Sequence, residues 1–298
     1  MRRKLLCGLA AFVFASVAEA QPVPARNLWE FPLGAVLEPA ALASEPGAGL
    51  WNPAAMALPA GDRWRFGVAS LARLAADQST DGQLLSVAHR SHNGLTLGFS
   101  LARSSVGDIT RTDADPQSIG TVPYSTLLLS ATAARELLPH LTAGIAARLR
   151  EGRADRETGH AVAADIGVML HDLPFRNARV AISSFLWRPG REIDDRPAFI
   201  AAADARVYGE GTREVRLGYS HNGVNRGAKE RGPFVGARLD RLEARAAYLR
   251  TIAAGRSLGR IRSGVSLHYA RYVVGIAREE GVSGLGPLYQ FTLSSVVK

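Results

Sequence analysis

Cysteine occurs once, at Cys7, and lysine only at positions 4, 229 and 298. A chain with one cysteine forms no internal disulfide and builds no cysteine-rich zinc site. Cys7 also stands too early for lipid attachment, because no apolar stretch precedes it. Long hydrophobic runs are missing too. No window after residue 20 holds enough uncharged apolar residues for a transmembrane helix, which needs about 18 or more, so a helical membrane protein is excluded. Aromatic residues make up 7% of the chain, so any interfacial girdle they form is thin. The net charge of +9 is therefore an arginine charge. These arginines are scattered through alternating segments rather than clustered, which argues against nucleic acid as a partner. Anionic lipid headgroups or lipopolysaccharide suit them better. Histidines 140, 160, 171 and 268 have no neighbour at a metal-ligand spacing, and Gly281 to Gly286 opens no helix-like pattern. Neither a metal, a cofactor nor a phosphate loop is expected.

What is present begins with an export signal. Arg2, Arg3 and Lys4 precede the apolar stretch Leu5 to Val17, and Ala18-Glu19-Ala20 supplies the small-x-small cleavage pattern. Residues 1–20 read as a signal peptide. Residues 21–61 are irregular and rich in Pro, Ala and Gly, with one short helix expected near Ala40 to Ser44. From residue 62 to 298 the pattern changes to period two. Leu141, Ala143, Ile145, Ala147 and Leu149 alternate with Thr142, Gly144, Ala146, Arg148 and Arg150. Such a strand needs one apolar and one polar environment.

About fourteen such segments follow one another, an even number as in bacterial outer-membrane barrels. They start near Arg63, Gln83, Leu95, Val122, Leu141, His160, Ala178, Ala198, Glu214, Pro233, Leu242, Arg260, Tyr272 and Leu288. Most are roughly 9 to 13 residues long, where a tilted strand needs about 9 to 11 to cross a bilayer. Long connections alternate with short ones. The long set is 74–82, 104–121, 151–159, 189–196, 221–232, 253–259 and 279–287; the short set includes 92–94, 137–140, 240–241 and 270–271. Long extracellular loops and short periplasmic turns give that rhythm. The fold class expected is all-β: a transmembrane antiparallel barrel of about fourteen strands.

The stretch Gly47-Ala48-Gly49-Leu50-Trp51-Asn52-Pro53-Ala54-Ala55-Met56-Ala57, with Leu33-Gly34-Ala35 and Ala40 to Ala43 before it, resembles the amino-terminal signature of FadL-type long-chain fatty-acid transporter barrels. Within them it is most similar to the PorV/PorQ-like branch, as are Gly107 to Thr112 and Asp165 to Val168. The resemblance implies a fourteen-stranded barrel with residues 21–61 inside it as a hatch. Two departures stand out: the family's glycine after Asn-Pro-Ala is Ala55 here, and the chain ends Ser-Ser-Val-Val-Lys rather than on an aromatic. The residues themselves fit a hatch. Asn52 before Pro53 is held extended, and its side chain readily bonds nearby backbone, so this pair forms a rigid turn that docks Trp51 and Met56.

Two Ser-His-Asn-Gly stretches, at Ser91 and Ser220, invite comparison with lipid hydrolases. Adjacent residues of a strand face opposite ways, so neither pair forms a catalytic dyad, and Asn-Gly favours a turn. No catalytic residue is assigned. Arg148, Arg150, Asp165, Arg216, Arg238, Glu243, Arg245 and Arg262 fall on polar faces, with Asp204 and Arg206 as further candidates. A charge at mid-depth facing lipid costs about 2–4 kcal/mol, so these are expected to line the lumen. They suit either a neutralised salt-bridge network or an anion-tolerant pore. Trp64, Trp187, Tyr208, Tyr219, Tyr248, Tyr269 and Tyr272 fall near strand ends, where girdles sit. Two functions remain open. One is an outer-membrane channel or carrier for small hydrophobic solutes; the other, implied by the PorV-like resemblance, is a partner or shuttle of a protein-secretion system.

Overall fold

The computed structural model describes residues 23–297 apart from 26–27, 29–34, 45–46, 59–63, 74–78, 108, 113–117, 186–197, 224–228, 254–255 and 282–285. The expected signal peptide and Trp187 lie outside the described residues. In chain order the strands are β1 (Trp64–Arg73), β2 (Thr80–Arg90), β3 (Leu95–Val106), β4 (Thr110–Thr112), β5 (Ser118–Thr121), β6 (Tyr124–Leu138), β7 (Leu141–Ala154) and β8 (Glu157–Leu173). They continue as β9 (Ala178–Phe185), β10 (Ala198–Glu210), β11 (Arg213–Gly223), β12 (Lys229–Leu239), β13 (Leu242–Ala253), β14 (Arg256–Tyr269), β15 (Tyr272–Glu279) and β16 (Leu288–Val297). All but β4 and β5 join one closed antiparallel barrel of 14 strands. Its closing seam pairs β1 with β16, from Trp64↔Val297 to Arg73↔Leu288. β4 and β5 form a separate hairpin within the connection from β3 to β6.

Period-two alternation decides which way each strand faces. On β7, Thr142, Gly144, Ala146, Arg148 and Arg150 are buried, whereas Ile145, Ala147 and Leu149 are exposed. On β8, Ala161, Ala163, Asp165, Gly167 and Met169 turn inward and Val162, Ile166, Val168 and Leu170 outward. The outer wall of the barrel is accordingly a belt of exposed Leu, Ile, Val and Phe, including Leu85, Phe99, Ile145, Ile182, Leu217, Ile276 and Phe291. In water such a belt would be costly; in a bilayer it is the solvated surface. Trp64, Tyr208, Tyr269 and Tyr272 are exposed near one rim, and Tyr219 and Tyr248 near the other.

The first rim carries short turns. Pro139-His140, Asp240-Arg241 and Ala270-Arg271 are two-residue links, with His140, Asp240 and Ala270 at φ of 70°, 54° and 50°. Hairpins of this length favour positive φ, because that matches the twist of the flanking strands. Ser91 to Gly94 is the expected turn: Gly94 N donates to Ser91 O at 2.9 Å.

Three expectations need correction. The connections read at 151–159 and 253–259 are two-residue links, because β7, β8, β13 and β14 run further out than their apolar stretches do. Ser220 to Gly223 is strand, not turn, and pairs with Phe199 to Ala202 of β10. The connection 104–121 contains the β4–β5 hairpin. Beyond the hydrocarbon a strand no longer needs apolar outward residues, so the alternation that marks it fades.

Candidate functional site in the barrel lumen

The described residues between 23 and 58 are mostly buried, and they lie against the inward face of the barrel. The wall makes room with glycine. A Cβ on Gly144 would lie 2.5 Å from the Pro53 carbonyl carbon, and one on Gly167 would lie 2.0 Å from Asn52 Oδ1. Gly98 admits Met56 and Gly264 admits Leu37 in the same way. Higher up, near the β7–β8 link, Gly152 and Gly159 pack on Val23 and Pro24. The segment therefore follows the lumen from the long-loop end toward the short-turn end, where it joins β1.

Its turns arise from local chemistry. Ala40–Leu42 and Pro53–Ala57 form 3-10 turns and Ala48–Trp51 one helical turn. Asn52 is extended at φ −129° and ψ 109°, as a residue before proline must be. It is fully buried; its Nδ2 donates to Ala41 O at 2.8 Å and its Oδ1 accepts from Ala54 N at 3.0 Å. One side chain thus ties two turns together. The last carbonyls are taken by cations from the wall: Arg65 donates to Met56 O and Leu58 O, and Arg90 donates to Ala57 O at 2.9 Å. Basic groups at a helical C-terminus satisfy carbonyls that the turn leaves open.

The sequence-predicted site residues fall into this frame. Trp51 stacks on Phe185 of β9, with ring centroids 4.8 Å apart. Arg148 lies 5.4 Å above the same Phe185 ring, pairs with Asp165, and donates to Gly49 O at 3.2 Å. Arg150 is buried on the same face of β7. Arg216, Glu243, Arg245 and Arg262 also face inward. Arg238 sits at the short-turn rim, where its Nε donates to the Asp240 carbonyl at 3.3 Å.

Two ion-pair networks emerge that sequence reasoning saw only in part. Toward the short turns, Asp204 accepts from Arg179 and Arg216, and Glu243 pairs with Arg245 and His268. Glu38 of the N-terminal segment joins them: its Oε1 lies 2.9 Å from Arg245 and 3.5 Å from Arg179, and its Oε2 accepts from Ser44 N at 3.1 Å. Toward the long loops, Glu230 and Glu279 hold Arg260 and Arg262. Glu38, Arg179, Glu230, Arg260 and Glu279 were missing from the expected set. Glu230 and Glu279 fell in stretches read as connections, and nothing in the spacing of Glu38 marks its partners. Each lumen charge in these two networks has an opposite charge beside it, so the arrangement is a neutralised network.

Beside Glu38 a cleft lies between Ala35, Val36 and Leu37 of the segment and Phe234, Ala247 and Leu249 of the wall. Arg245 and Arg262, both already paired, complete its polar side, and it reaches Ala246 and Ser263 at the wall itself. Here the β12–β13 ladder breaks: Arg231↔Arg250 pair, and register resumes only at Phe234↔Ala247. Pro233 has no N–H to give, and Gly232 lies so close that a Cβ would be 1.8 Å from Tyr248 O. The cleft thus sits behind a stretch of wall where the β12–β13 ladder is interrupted. Among the described residues no cluster of His, Cys, Asp or Glu could hold a metal ion. Ser220 is buried and His221 points to the outer face, so the two share no site.

No protein-family model matches the chain, and no curated protein sequence does. Among solved structures, the CymD monoaromatic hydrocarbon channel matches with a TM-score of 0.61 at 10% identity, over 86% of this chain and 94% of that one. The Pseudomonas putida toluene transporter TodX matches with a TM-score of 0.55 at 11% identity, over 87% and 95% of the two chains. At this identity the likeness is one of fold. The chain shares with both a closed antiparallel β-barrel fold. These matches do not single out the PorV/PorQ branch.

Proposed function

We propose that the protein is an outer-membrane channel for small hydrophobic solutes, with residues 21–61 acting as a hatch inside the barrel. The observation that carries this reading is the cleft between Ala35 to Leu37 and Phe234, Ala247 and Leu249. It is mainly apolar, it adjoins the hatch, and the charges at its edge are already neutralised by one another. A solute without charge can occupy it while the ion pairs stay intact; an ionic solute would have to compete with them. The fold shared with two hydrocarbon channels supports the same class of solute.

The experiment is uptake of a labelled monoaromatic hydrocarbon into vesicles reconstituted with the full chain, with a chain lacking residues 21–61, and with Ala247→Phe, which fills the cleft. Uptake above protein-free vesicles is expected for the full chain, faster uptake for the shortened chain, and slower uptake for Ala247→Phe. No uptake in either the full or the shortened chain overturns the proposal. A PorV-like partner needs no solute path, so that outcome, joined to co-purification with secretion proteins, would favour the docking role instead.

A further inference from the structure

We infer that the outer face of β11–β13 carries a binding site for the phosphorylated headgroup of an anionic outer-leaflet lipid, formed by His221, Arg231 and Arg250 with Lys229 beside them. The strand register brings these residues together. His221 is directly opposite Arg231, and Arg231 is directly opposite Arg250. Lys229 stands two residues from Arg231 on the same strand and face. Neighbouring strands are about 4.8 Å apart, so the three paired side chains span about 10 Å. All four point away from the lumen, and Lys229, Arg231 and Arg250 are exposed.

The height of this row is fixed by what lies below it. Going from the barrel's middle toward the long loops, the outer positions of these strands read Leu217 and Val235, then Tyr219, Pro233 and Tyr248, then His221, Arg231 and Arg250. Apolar, then tyrosine, then cation is the order in which side chains meet hydrocarbon, interface and headgroups. The tyrosine level is built in: the Tyr248 ring lies over Gly259, where a Cβ would be 2.4 Å from its hydroxyl oxygen. The cations therefore stand at the phosphate level of the outer leaflet.

Like charges directly opposite one another destabilise a sheet unless something neutralises them. Among the described residues, neither Arg231 nor Arg250 forms an ion pair. Arg250 Nε donates to Ser257 Oγ. The nearest described carboxylate on this face is Glu280, whose backbone N donates to Ile261 O at 2.8 Å, two strands from Arg250. Elsewhere on the same rim some outward charges are matched, His160 lying 3.6 Å from Glu151 and Arg111 pairing with Asp155. The β11–β13 row alone, among the described outer positions, stacks cation upon cation. A phosphate supplies what is missing, because two guanidinium groups from adjacent strands can each donate to its oxygens. The site is independent of any solute path through the lumen.

The test uses the full chain in phosphatidylcholine nanodiscs and measures binding of diphosphoryl lipid A by native mass spectrometry. Binding is expected, and about tenfold weaker in R231Q/R250Q, the loss that charge-assisted hydrogen bonds represent. R231K/R250K should keep most of the affinity, and R103Q/R153Q, on other strands, should keep all of it. Heat-modifiable gel migration verifies that each variant is folded; if R231Q/R250Q does not fold, H221Q and K229Q are read singly, each expected to weaken binding. Equal binding by the folded charge-removing variants and the parent overturns the inference. So does competition by inorganic phosphate at equal concentration, which would make the row a free-anion site.

Discussion

Replacing Gly144 by alanine has opposite signs depending on whether the lumen at that level is filled. In a strand facing an empty lumen or water, Gly→Ala stabilises by about 0.5–1 kcal/mol, because glycine loses more chain entropy on folding. Here the new Cβ would meet Pro53 C at 2.5 Å, Pro53 O at 2.6 Å and Ala54 N at 2.7 Å. All three are backbone atoms of a turn held by Asn52, so no flexible side chain can swing aside. Overpacking of this kind costs about 1–3 kcal/mol. The net expectation is a loss of about 0.5–2.5 kcal/mol, from the lesser gain set against the smaller and larger overpacking costs. Gly236 is the control: it also faces inward, and a Cβ there meets only Arg245 side-chain atoms, the nearest at 3.6 Å. Gly236→Ala should therefore be neutral or slightly stabilising. The assay is equilibrium unfolding of both variants in detergent micelles, followed by tryptophan fluorescence. Gly144→Ala as stable as Gly236→Ala would refute the placement of Pro53 against β7.

Three other perturbations follow from the same lumen. Asn52→Ala should cost about 1–3 kcal/mol or more, since it strands the Ala41 carbonyl and the Ala54 N–H in a buried site; hydrogen exchange at Ala54 should accelerate, and unchanged protection would contradict the assigned bond. Glu38→Gln should cost about 3 kcal/mol, the low end for a broken buried pair, because Arg179 and Arg245 are each about one-fifth exposed. A cysteine placed at Leu37 in that background should react faster with a thiol reagent than in the parent chain; equal rates would remove Glu38 as the tie. At the short-turn rim, the Arg213 guanidinium bonds the Asp240 carboxylate, with Thr212 adding a second donor, and holds it below the usual carboxylate range. A depressed folded value stabilises above the unfolded value of about 3.9 and is lost as pH falls through the folded one. Asp240→Asn should thus lose stability relative to the parent at neutral pH but not well below pH 4, and a pH-independent difference would argue against the pair.

The barrel was legible because its walls face two solvents. Lipid outside and a packed lumen inside impose strict alternation, and the expected strand starts at Leu95, Leu141, Ala178, Ala198, Leu242, Tyr272 and Leu288 coincide with those observed. Where that constraint ends, so did the reading. The outer parts of β7 and β8, with Glu151, Arg153, Glu157 and Thr158, lie past the apolar belt and looked like a loop. The inward placement of Arg148, Asp165, Arg245 and Arg262 followed from parity alone, whereas Glu38, Glu230 and Glu279 as partners did not. Glu38 meets Arg179 and Arg245 across more than a hundred residues of chain. Only the closed register brings such groups together.

The N-terminal segment also changes what permeation would mean physically. A water-filled barrel lets a solute diffuse at the cost of a few hydrogen bonds to solvent, and its flux rises with temperature about as the fluidity of water does. In this lumen the occupant is covalently attached chain, held by Asn52, Glu38, Arg65 and Arg90. Whatever crosses must wait for that chain to yield locally, an opening equilibrium rather than a diffusive step. Flux would then carry the enthalpy of breaking those ties, and its Arrhenius slope would report the hatch more directly than the pore.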